Sequence, residues 1–189
     1  GVDNAYRQLM HTMVHKADAY IGQVVELLHS TNQWENTLLV LHSDNGGEIM
    51  TKFCGGNNYP LRGGKFSQFE GGIRATALVS GGRLPPHRRR KVETNLMSIA
   101  DWYATYAIAA GVSENALIDQ KAFAAGLPPI DSLNCWAMLT GVEDTHPNRE
   151  QLLIDYLPYS SCRNEIPIGD TSAIAFNMDG DALVGAYYW

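Results

Sequence analysis

The chain has 189 residues, of which 45% are apolar and 18% charged, so it is long enough for one domain with a core of its own. Its formal net charge of −6 argues against general binding to nucleic acid or to a membrane surface, because contact with a polyanion needs an excess of Lys and Arg. No apolar run approaches the roughly 18 residues of a membrane span.

The first predicted element is a long helix from Tyr6 to Leu28. Its apolar residues recur at steps of three and four and form one face that should pack on another element. These residues are Leu9, Met13, Ala17, Tyr20, Ile21, Val24, Val25 and Leu28. Thr31-Asn32-Gln33 breaks the helix, and the apolar run from Thr37 to His42 is typical of a strand covered on both faces.

A glycine-rich stretch follows this strand. Residues 44–72 contain eight glycines, too many for regular structure, so we predict a long loop with a functional role. Ile73 to Val79 reads as a second short buried strand, and Asn95 to Ala110 as an amphipathic helix. Its predicted inward residues are Ile99, Trp102, Tyr103, Tyr106 and Ala107. This order indicates an α/β fold with a sheet between helix layers.

The last part of the chain has a different pattern. Asp144 to Asn148 reads as a linker, which predicts an α/β domain over residues 1–147 and the beginning of a small antiparallel subdomain over residues 148–189. In that subdomain, Gln151 to Tyr156 reads as a strand. Ala173 to Asn177 and Ala182 to Tyr188 read as a hairpin turned at Asp179-Gly180.

The chain ends and the cysteines suggest a piece of a longer protein. The sequence begins at Gly1 instead of Met and stops at Trp189 within an apolar, strand-like run. There are three cysteines, Cys54, Cys135 and Cys162, an odd number with no metal-type spacing, so at least one is free or pairs outside this chain. The basic run of residues 87–91 follows two prolines and is typical of a solvated loop.

Asp44 and Asn45 directly follow the first strand, and ligands of open α/β sheets bind where strands end. A carboxylate beside an amide carbonyl supplies the hard oxygen donors that suit Ca²⁺ or Mg²⁺. Because Ca²⁺ takes about 6 to 8 oxygens, other ligands would have to come from elsewhere. Asp-Asn-Gly is also good turn chemistry, so the pair by itself leaves both interpretations open.

Lys65 follows the glycine pair Gly63-Gly64, where the backbone can approach an anion closely and an ammonium group can act on it as a point charge. A lysine, a divalent cation and nearby backbone amides would together stabilise a tetrahedral oxyanion. A sulfate or phosphate group fits that description.

Several ordered motifs resemble the central block of the type I sulfatases. They are Asp44 to Gly47, Asn57 to Lys65 and Glu70 to Arg74, with further similarity at Asp18, Gly22, Ser98 to Trp102 and Leu127 to Trp136. The version Gly55 to Lys65, GGNNYPLRGGK, looks closest to the arylsulfatase B group.

The resemblance implies an alkaline-phosphatase-like α/β sandwich with a mostly parallel sheet, here its later portion, in a parent protein that hydrolyses sulfuric esters. By the same resemblance, Asp44 and Asn45 would be Ca²⁺ ligands, with Mg²⁺ as the other candidate ion. Lys65 would contact the sulfate as a catalytic and substrate-binding residue, and Glu70 and Arg74 would brace the loop.

In such enzymes a formylglycine, made from the cysteine of a Cys-x-Pro-Ser-Arg motif, attacks sulfur as its hydrate while a histidine protonates the departing alcohol. None of the three cysteines here has Pro-Ser-Arg after it, so we expect the nucleophile in the missing amino-terminal part and an inactive chain alone. The resemblance also implies a disulfide from Cys162 to a cysteine beyond Trp189. It implies a sulfate ester or sulfated glycan as substrate, the rest of the sulfatase chain as partner, and a lysosomal or secreted location.

Two other functions remain open. One is a phosphoester hydrolase or transferase of the same superfamily, with a serine or threonine nucleophile and two zinc ions, which the Asp44-Asn45 oxygen pair disfavours. The other is a non-catalytic sulfatase remnant that serves as a binding or structural module. His11 and His15 lie one helical turn apart, a spacing that can bind zinc, yet they read better as helix-surface residues. His42 could line the pocket, although a strand histidine with a satisfied hydrogen bond is the favoured interpretation.

Overall fold

The structure is a computed structural model that describes residues 4–49, 54–142, 149–157 and 184–188. Residues 155–157 and 184–188 are described by their backbone alone. The helices are α1 (Ala5–Ser30), α2 (Glu70–Ile73), α3 (Asp101–Ala109), α4 (Gln120–Ala124) and α5 (Trp136–Thr140). The strands are β1 (Leu39–His42), β2 (Ala77–Ser80), β3 (Leu152–Leu157) and β4 (Val184–Tyr188). The described residues fall into two compact units, one up to Arg83 together with those from Leu153 onward, and one over Leu84–Leu152.

Helix α1 confirms the first predicted element and is slightly longer. The side chain of Asn4 caps its first turn by accepting hydrogen bonds from the backbone N–H groups of Tyr6 at 2.9 Å and Arg7 at 3.2 Å. The expectation of a packed apolar face is not met within the described chain, where no residue of α1 is buried. Met13 and Tyr20, for example, are 56% and 63% exposed.

The two central strands pair with each other. β1 and β2 run antiparallel, with Leu39 opposite Ser80 and His42 opposite Ala77. Both strands were predicted as buried on two faces, and this is wrong for the described residues, since Leu41 and Leu78 are 46% and 59% exposed. An apolar run indicates a strand, but burial of both faces also needs other elements packed on each side of the sheet. No described segment covers both faces of these two strands.

Antiparallel pairing brings the two ends of the glycine-rich loop together. Residues that follow β1 must lie beside residues that precede β2, because the strands run in opposite directions. The backbone continues this pairing beyond the strands, from the Ser43 N–H to the Thr76 carbonyl at 2.9 Å and from the Gly46 N–H to the Gly72 carbonyl at 2.7 Å. The predicted strand over Ile73 to Val79 is therefore shorter, and Ile73 belongs to α2.

The second unit is built around the start of α3, and the predicted inward face of this helix is largely wrong. Trp102 is buried at 8% exposure, but Ile99, Tyr103 and Tyr106 are 64%, 62% and 43% exposed. The helix instead turns Asp101 inward, with an exposed fraction of 0%. A carboxylate is buried here because it has partners, which a count of apolar residues does not register.

Asp101 accepts four hydrogen bonds. They come from the Ser98 N–H at 2.7 Å, the Leu133 N–H at 2.8 Å, and Nε and Nη2 of Arg149 at 3.1 and 2.5 Å. Burial alone would raise the pKa of Asp101, but the hydrogen bonds from Arg149 and from the two backbone groups hold that pKa below its usual range. The ion pair thus joins three separate segments of the second unit.

Arg88 corrects the interpretation of the basic run as a solvated loop. Its guanidinium donates to the carbonyl oxygens of Leu139 at 3.2 Å and Met138 at 3.0 Å, in the last turn of α5, and pairs with Glu93 at 2.7 Å. A cation at a helix C-terminus stabilises the free carbonyl groups there. At least this arginine has a structural role.

The strand predicted over Gln151 to Tyr156 is confirmed as β3, which pairs with β4 in a two-stranded sheet. The predicted linker from Asp144 to Asn148, the hairpin arm from Ala173 to Asn177 with its turn, and Cys162 lie outside the described residues. Within the described part of the chain, no helix has both the length and the apolar character needed to cross a membrane.

Candidate functional site

Three segments of the glycine-rich loop are joined through their backbones. The Gly46 N–H donates to the Gly72 carbonyl at 2.7 Å, and the Lys65 N–H donates to the Gly47 carbonyl at 3.1 Å. Asn45 and Lys65 therefore belong to segments that are hydrogen-bonded to each other, although 20 positions separate them in the sequence. The loop thus brings the backbone that follows Asn45 and the backbone of Lys65 side by side.

Glycine is required where these segments meet. A Cβ atom on Gly46 would lie 1.6 Å from the carbonyl oxygen of Gly71, and one on Gly72 would lie 2.2 Å from that of Ser67. A Cβ on Gly71 would lie 2.1 Å from the Gly63 carbonyl oxygen. The glycine cluster of Gly46, Gly47, Gly63, Gly64, Gly71 and Gly72 is thus a place where backbone packs directly on backbone.

Asn58 fastens the cluster from its side. Its Oδ1 accepts from the Gly47 N–H at 2.8 Å, and its Nδ2 donates to the carbonyl oxygens of Gly47 at 2.7 Å and Gly63 at 3.1 Å. One amide side chain thereby holds both backbone groups of Gly47. Sequence reasoning missed this residue, since an Asn beside Asn57 and before Tyr-Pro reads only as turn chemistry.

The amino-terminal helix is tied to the same loop. Nη2 of Arg7 donates to the Gly56 carbonyl at 3.2 Å, and the Gly56 N–H donates to the Glu48 carbonyl at 3.2 Å. A Cβ on Gly55 would lie 2.6 Å from the Tyr6 carbonyl oxygen, so this contact also needs glycine. The first turn of α1 is therefore part of the scaffold that shapes the loop.

Asp44 and Asn45 follow β1, as predicted. Asp44 is exposed and takes part in no ion pair among the described residues, and Asn45 is half-buried. Nδ2 of Asn45 donates to the Gly46 carbonyl at 2.8 Å, which leaves its Oδ1 as an available acceptor. The pair fits Ca²⁺ or Mg²⁺ in kind, as hard oxygen donors. It does not complete a site, because the described residues contain no group of three or more His, Cys, Asp or Glu that could hold a metal ion.

Lys65 is half-buried and forms no ion pair within the described chain. Its Nζ lies over the ring of Phe66, 5.4 Å from the centroid. An ammonium group that no carboxylate neutralises keeps its charge for an anion. Lys65 is thus chemically suited to bind a sulfate or phosphate group.

Glu70 and Arg74 form an ion pair at 3.5 Å across one turn of α2. The two side chains are 38% and 59% exposed, so the pair contributes little stability by itself. Next to it, the guanidinium of Arg62 lies 3.9 Å from the ring centroid of Phe69. These contacts are of the kind expected from residues that brace a loop.

The histidines singled out in the sequence, His11, His15 and His42, add no further metal site among the described residues. His11 and His15 are exposed on α1, and no zinc-type cluster includes them within the described residues. The Nδ1 atom of His42 lies 3.3 Å from the Ser43 carbonyl oxygen, which agrees with a strand histidine that has a hydrogen-bond partner.

Comparison with known proteins identifies the family. The family model described as Sulfatase matches residues 3–112, which is more than half of the chain. The chain belongs to the sulfatase family. The match spans α1, β1, the whole glycine-rich loop and α3, and so includes every residue of the candidate site.

Sulfatases of known identity also resemble about half of this chain. Arylsulfatase J of Mus musculus is 35% identical over 102 residues, which are 54% of this chain and 16% of the relative. N-acetylgalactosamine-6-sulfatase of Homo sapiens is 35% identical over 102 residues, 53% of this chain and 19% of the relative. Arylsulfatase A of Homo sapiens is 35% identical over 94 residues, which are 50% of this chain and 18% of the relative. The matched part of the chain thus spans less than a fifth of these relatives.

Two solved structures share its fold. The crystal structure of Ps i-CgsB matches 74% of this chain and 28% of its own, with 30% identity and a TM-score of 0.57. The match to the PsFucS1 sulfatase from Pseudoalteromonas sp. covers 73% of this chain and 25% of that protein, with 26% identity and a TM-score of 0.51. This likeness implies the alkaline-phosphatase-like fold that the sequence predicts, while the described strands show antiparallel pairing in the β1–β2 sheet.

Proposed function

We propose that the full-length protein that carries this chain is a sulfuric ester hydrolase, and that this chain contributes part of its calcium and sulfate site. Membership of the sulfatase family supports the reaction class. The observation that carries the site assignment is the hydrogen bond from the Lys65 N–H to the Gly47 carbonyl, which fixes a cationic residue beside the segment of Asp44 and Asn45.

In this proposal, the carboxylate of Asp44 and Oδ1 of Asn45 would hold a Ca²⁺ ion, or Mg²⁺, together with ligands from elsewhere in the protein. The bound ion would supply positive charge that polarises the sulfate oxygens. The described structure supports this in two ways: both donors are hard oxygens, and Nδ2 of Asn45 is already engaged with Gly46, which fixes the orientation of its amide.

Lys65 would bind the sulfate group and stabilise the negative charge that develops as the ester bond breaks. Its backbone is held in place by Gly47, so the side chain extends from a fixed point. The absence of a carboxylate partner within the described residues keeps the ammonium charge available. Half-burial strengthens its attraction for an anion, because less water screens the pair.

Other features of the enzyme follow from the family. A formylglycine nucleophile would come from a part of the protein outside this chain, and the mostly parallel sheet would be completed there. One structural neighbour was solved in complex with k-i-k-neocarrahexaose, which supports a sulfated glycan as one class of substrate, alongside small sulfate esters. A lysosomal or secreted location, the Cys162 disulfide and the arylsulfatase B subgroup remain predictions.

The test is turnover of an aryl sulfate by the full-length protein. Lys65→Ala should lower kcat/KM by at least about a hundredfold, as loss of a charge-stabilising group does in other enzymes. Lys91→Ala is the matched control, since Lys91 is an exposed lysine outside the loop, and it should keep wild-type activity. Circular dichroism should show the same fold for both variants. Near-normal turnover by Lys65→Ala would exclude the proposed role.

The same assay separates the alternatives. A wild-type protein that hydrolyses an aryl phosphate better than the aryl sulfate would indicate the phosphoester reaction. A correctly folded full-length protein without activity on either ester would indicate the non-catalytic remnant. Sequencing of the residues upstream of Gly1 for Cys-x-Pro-Ser-Arg provides an independent check.

A further inference from the structure

Lys65 occupies a tight turn with an unusual residue in it. The Ser67 N–H donates to the Gly64 carbonyl at 2.9 Å, and the Gly64 N–H donates to Oγ of Ser67 at 3.1 Å, so residues 64–67 form a doubly closed turn. Phe66 has φ of +72°, whereas Lys65 is not among the residues with positive φ. A positive φ at the third position alone defines a type II turn, which normally has Gly or Asn there.

Packing of the Phe66 side chain does not compensate for this strained backbone. The residue is 61% exposed, so burial of the ring does not offset the strain. Glycine would satisfy the same turn without cost. Strained residues that persist without a packing gain are found at functional sites, where the geometry that they impose is needed.

The left-handed backbone places the ring of Phe66 under the ammonium group of Lys65. The distance of 5.4 Å from Nζ to the ring centroid is within the range of a cation–π interaction. The face of an aromatic ring attracts a cation without neutralising its charge. A carboxylate partner would also orient Lys65, but it would compete with an incoming anion for the same ammonium group.

We propose that Phe66 is a positioning residue that holds the Lys65 ammonium group for the sulfate of the substrate. The inference rests on the proposed function of Lys65 as the sulfate ligand. Ser67 is 7% exposed and closes the turn, and a Cβ on Gly72 would lie 2.2 Å from the Ser67 carbonyl oxygen, so the turn is itself seated on the glycine cluster. The ring therefore positions Lys65 from a fixed base.

The experiment compares substitutions of Phe66 in the full-length protein. Phe66→Leu keeps an apolar side chain but removes the π face, and it should lower kcat/KM for an aryl sulfate about five- to thirtyfold. Phe66→Trp keeps the π face and should retain most of the activity. Phe66→Gly removes the ring and the strain together, so it should lower kcat/KM like Phe66→Leu while its Tm is equal to or above that of the wild type. Phe123→Leu, at a 74% exposed phenylalanine of α4, is the matched control and should have no effect.

A double-mutant cycle separates positioning from a general structural role. If Phe66 acts through Lys65, then Phe66→Leu should change little once Lys65→Ala is present. An equal loss on both backgrounds, or a Phe66→Leu variant with wild-type kcat/KM, would overturn the inference.

Binding of inorganic sulfate, measured by calorimetry, repeats the cycle without turnover. If the wild type binds sulfate but does not hydrolyse the ester, the proposed hydrolase is contradicted, yet the role of Phe66 can still be tested. The inference is supported if Phe66→Leu weakens sulfate binding and this effect disappears on the Lys65→Ala background. Unchanged binding by Phe66→Leu, or no sulfate binding by the wild type, would overturn it.

Discussion

Replacing Asp101 by asparagine should loosen the core of the second unit. The wild-type carboxylate is fully buried and accepts four hydrogen bonds, two of them from Arg149. Asparagine has the same shape but one acceptor oxygen, and its NH₂ group would face other donors. It would also remove the buried counter-charge of Arg149, whose side chain is only 16% exposed.

The local free energy of unfolding should fall by about 3 kcal/mol. This is at the lower end of the range for breaking a buried ion pair, because asparagine keeps part of the hydrogen bonding. Hydrogen–deuterium exchange with mass spectrometry on the full-length protein can measure this locally. Peptides that cover residues 98–105 and 131–135 should exchange about a hundredfold faster, since each 1.4 kcal/mol is a factor of about ten.

A matched control is available in the same unit. Asp119 caps α4 by accepting from the N–H groups of Lys121 at 2.9 Å and Ala122 at 3.0 Å, and asparagine is an equally good cap. Asp119→Asn should therefore leave exchange unchanged. If Asp101→Asn exchanged at the wild-type rate, within about threefold, the buried carboxylate would not be what holds these segments together.

Three further predictions concern the effect of acid and the replacement of two glycines. The pKa of Asp101 is held below its usual range, so its stabilisation should be complete above about pH 4 and should disappear as the pH falls through the folded-state pKa. Pepsin cleavage near α3 should then increase below about pH 4 in the wild type, and this pH-dependent step should be missing in Asp101→Asn. Gly46→Ala should prevent folding of the loop and lower Tm, because its Cβ would lie 1.6 Å from the Gly71 carbonyl oxygen. At Gly22 a Cβ would meet no atom of the described residues within 4 Å, so Gly22→Ala should instead stabilise α1 by up to about 1 kcal/mol.

Features fixed by near neighbours in the sequence were predictable. The periodicity from Tyr6 to Leu28 defined α1, since a helix depends on contacts three and four residues apart. The order Asp44, Asn45 and Lys65, with the intervening glycines, was specific enough to indicate the family. The close backbone contacts at Gly46 and Gly72 give the physical reason for that pattern.

Features that depend on distant partners could not be predicted from the sequence. Asp101 is buried because of Arg149, 48 positions later, so a hydrophobicity pattern assigned the wrong face to α3. The run from Thr37 to His42 predicted a strand, but it contained no information on the direction of its neighbour. Phe66 was missed because sequence preference predicts glycine at that position of a type II turn.

The hold of Asn58 on the loop has a consequence for the lifetime of the protein. Spontaneous deamidation would convert this amide to a carboxylate, replacing the donor that now serves the carbonyl oxygens of Gly47 and Gly63. Two attractive contacts would become repulsive ones between oxygen atoms, beside the backbone that anchors Lys65. Chemical ageing at this one side chain would therefore damage the loop without any change in the gene.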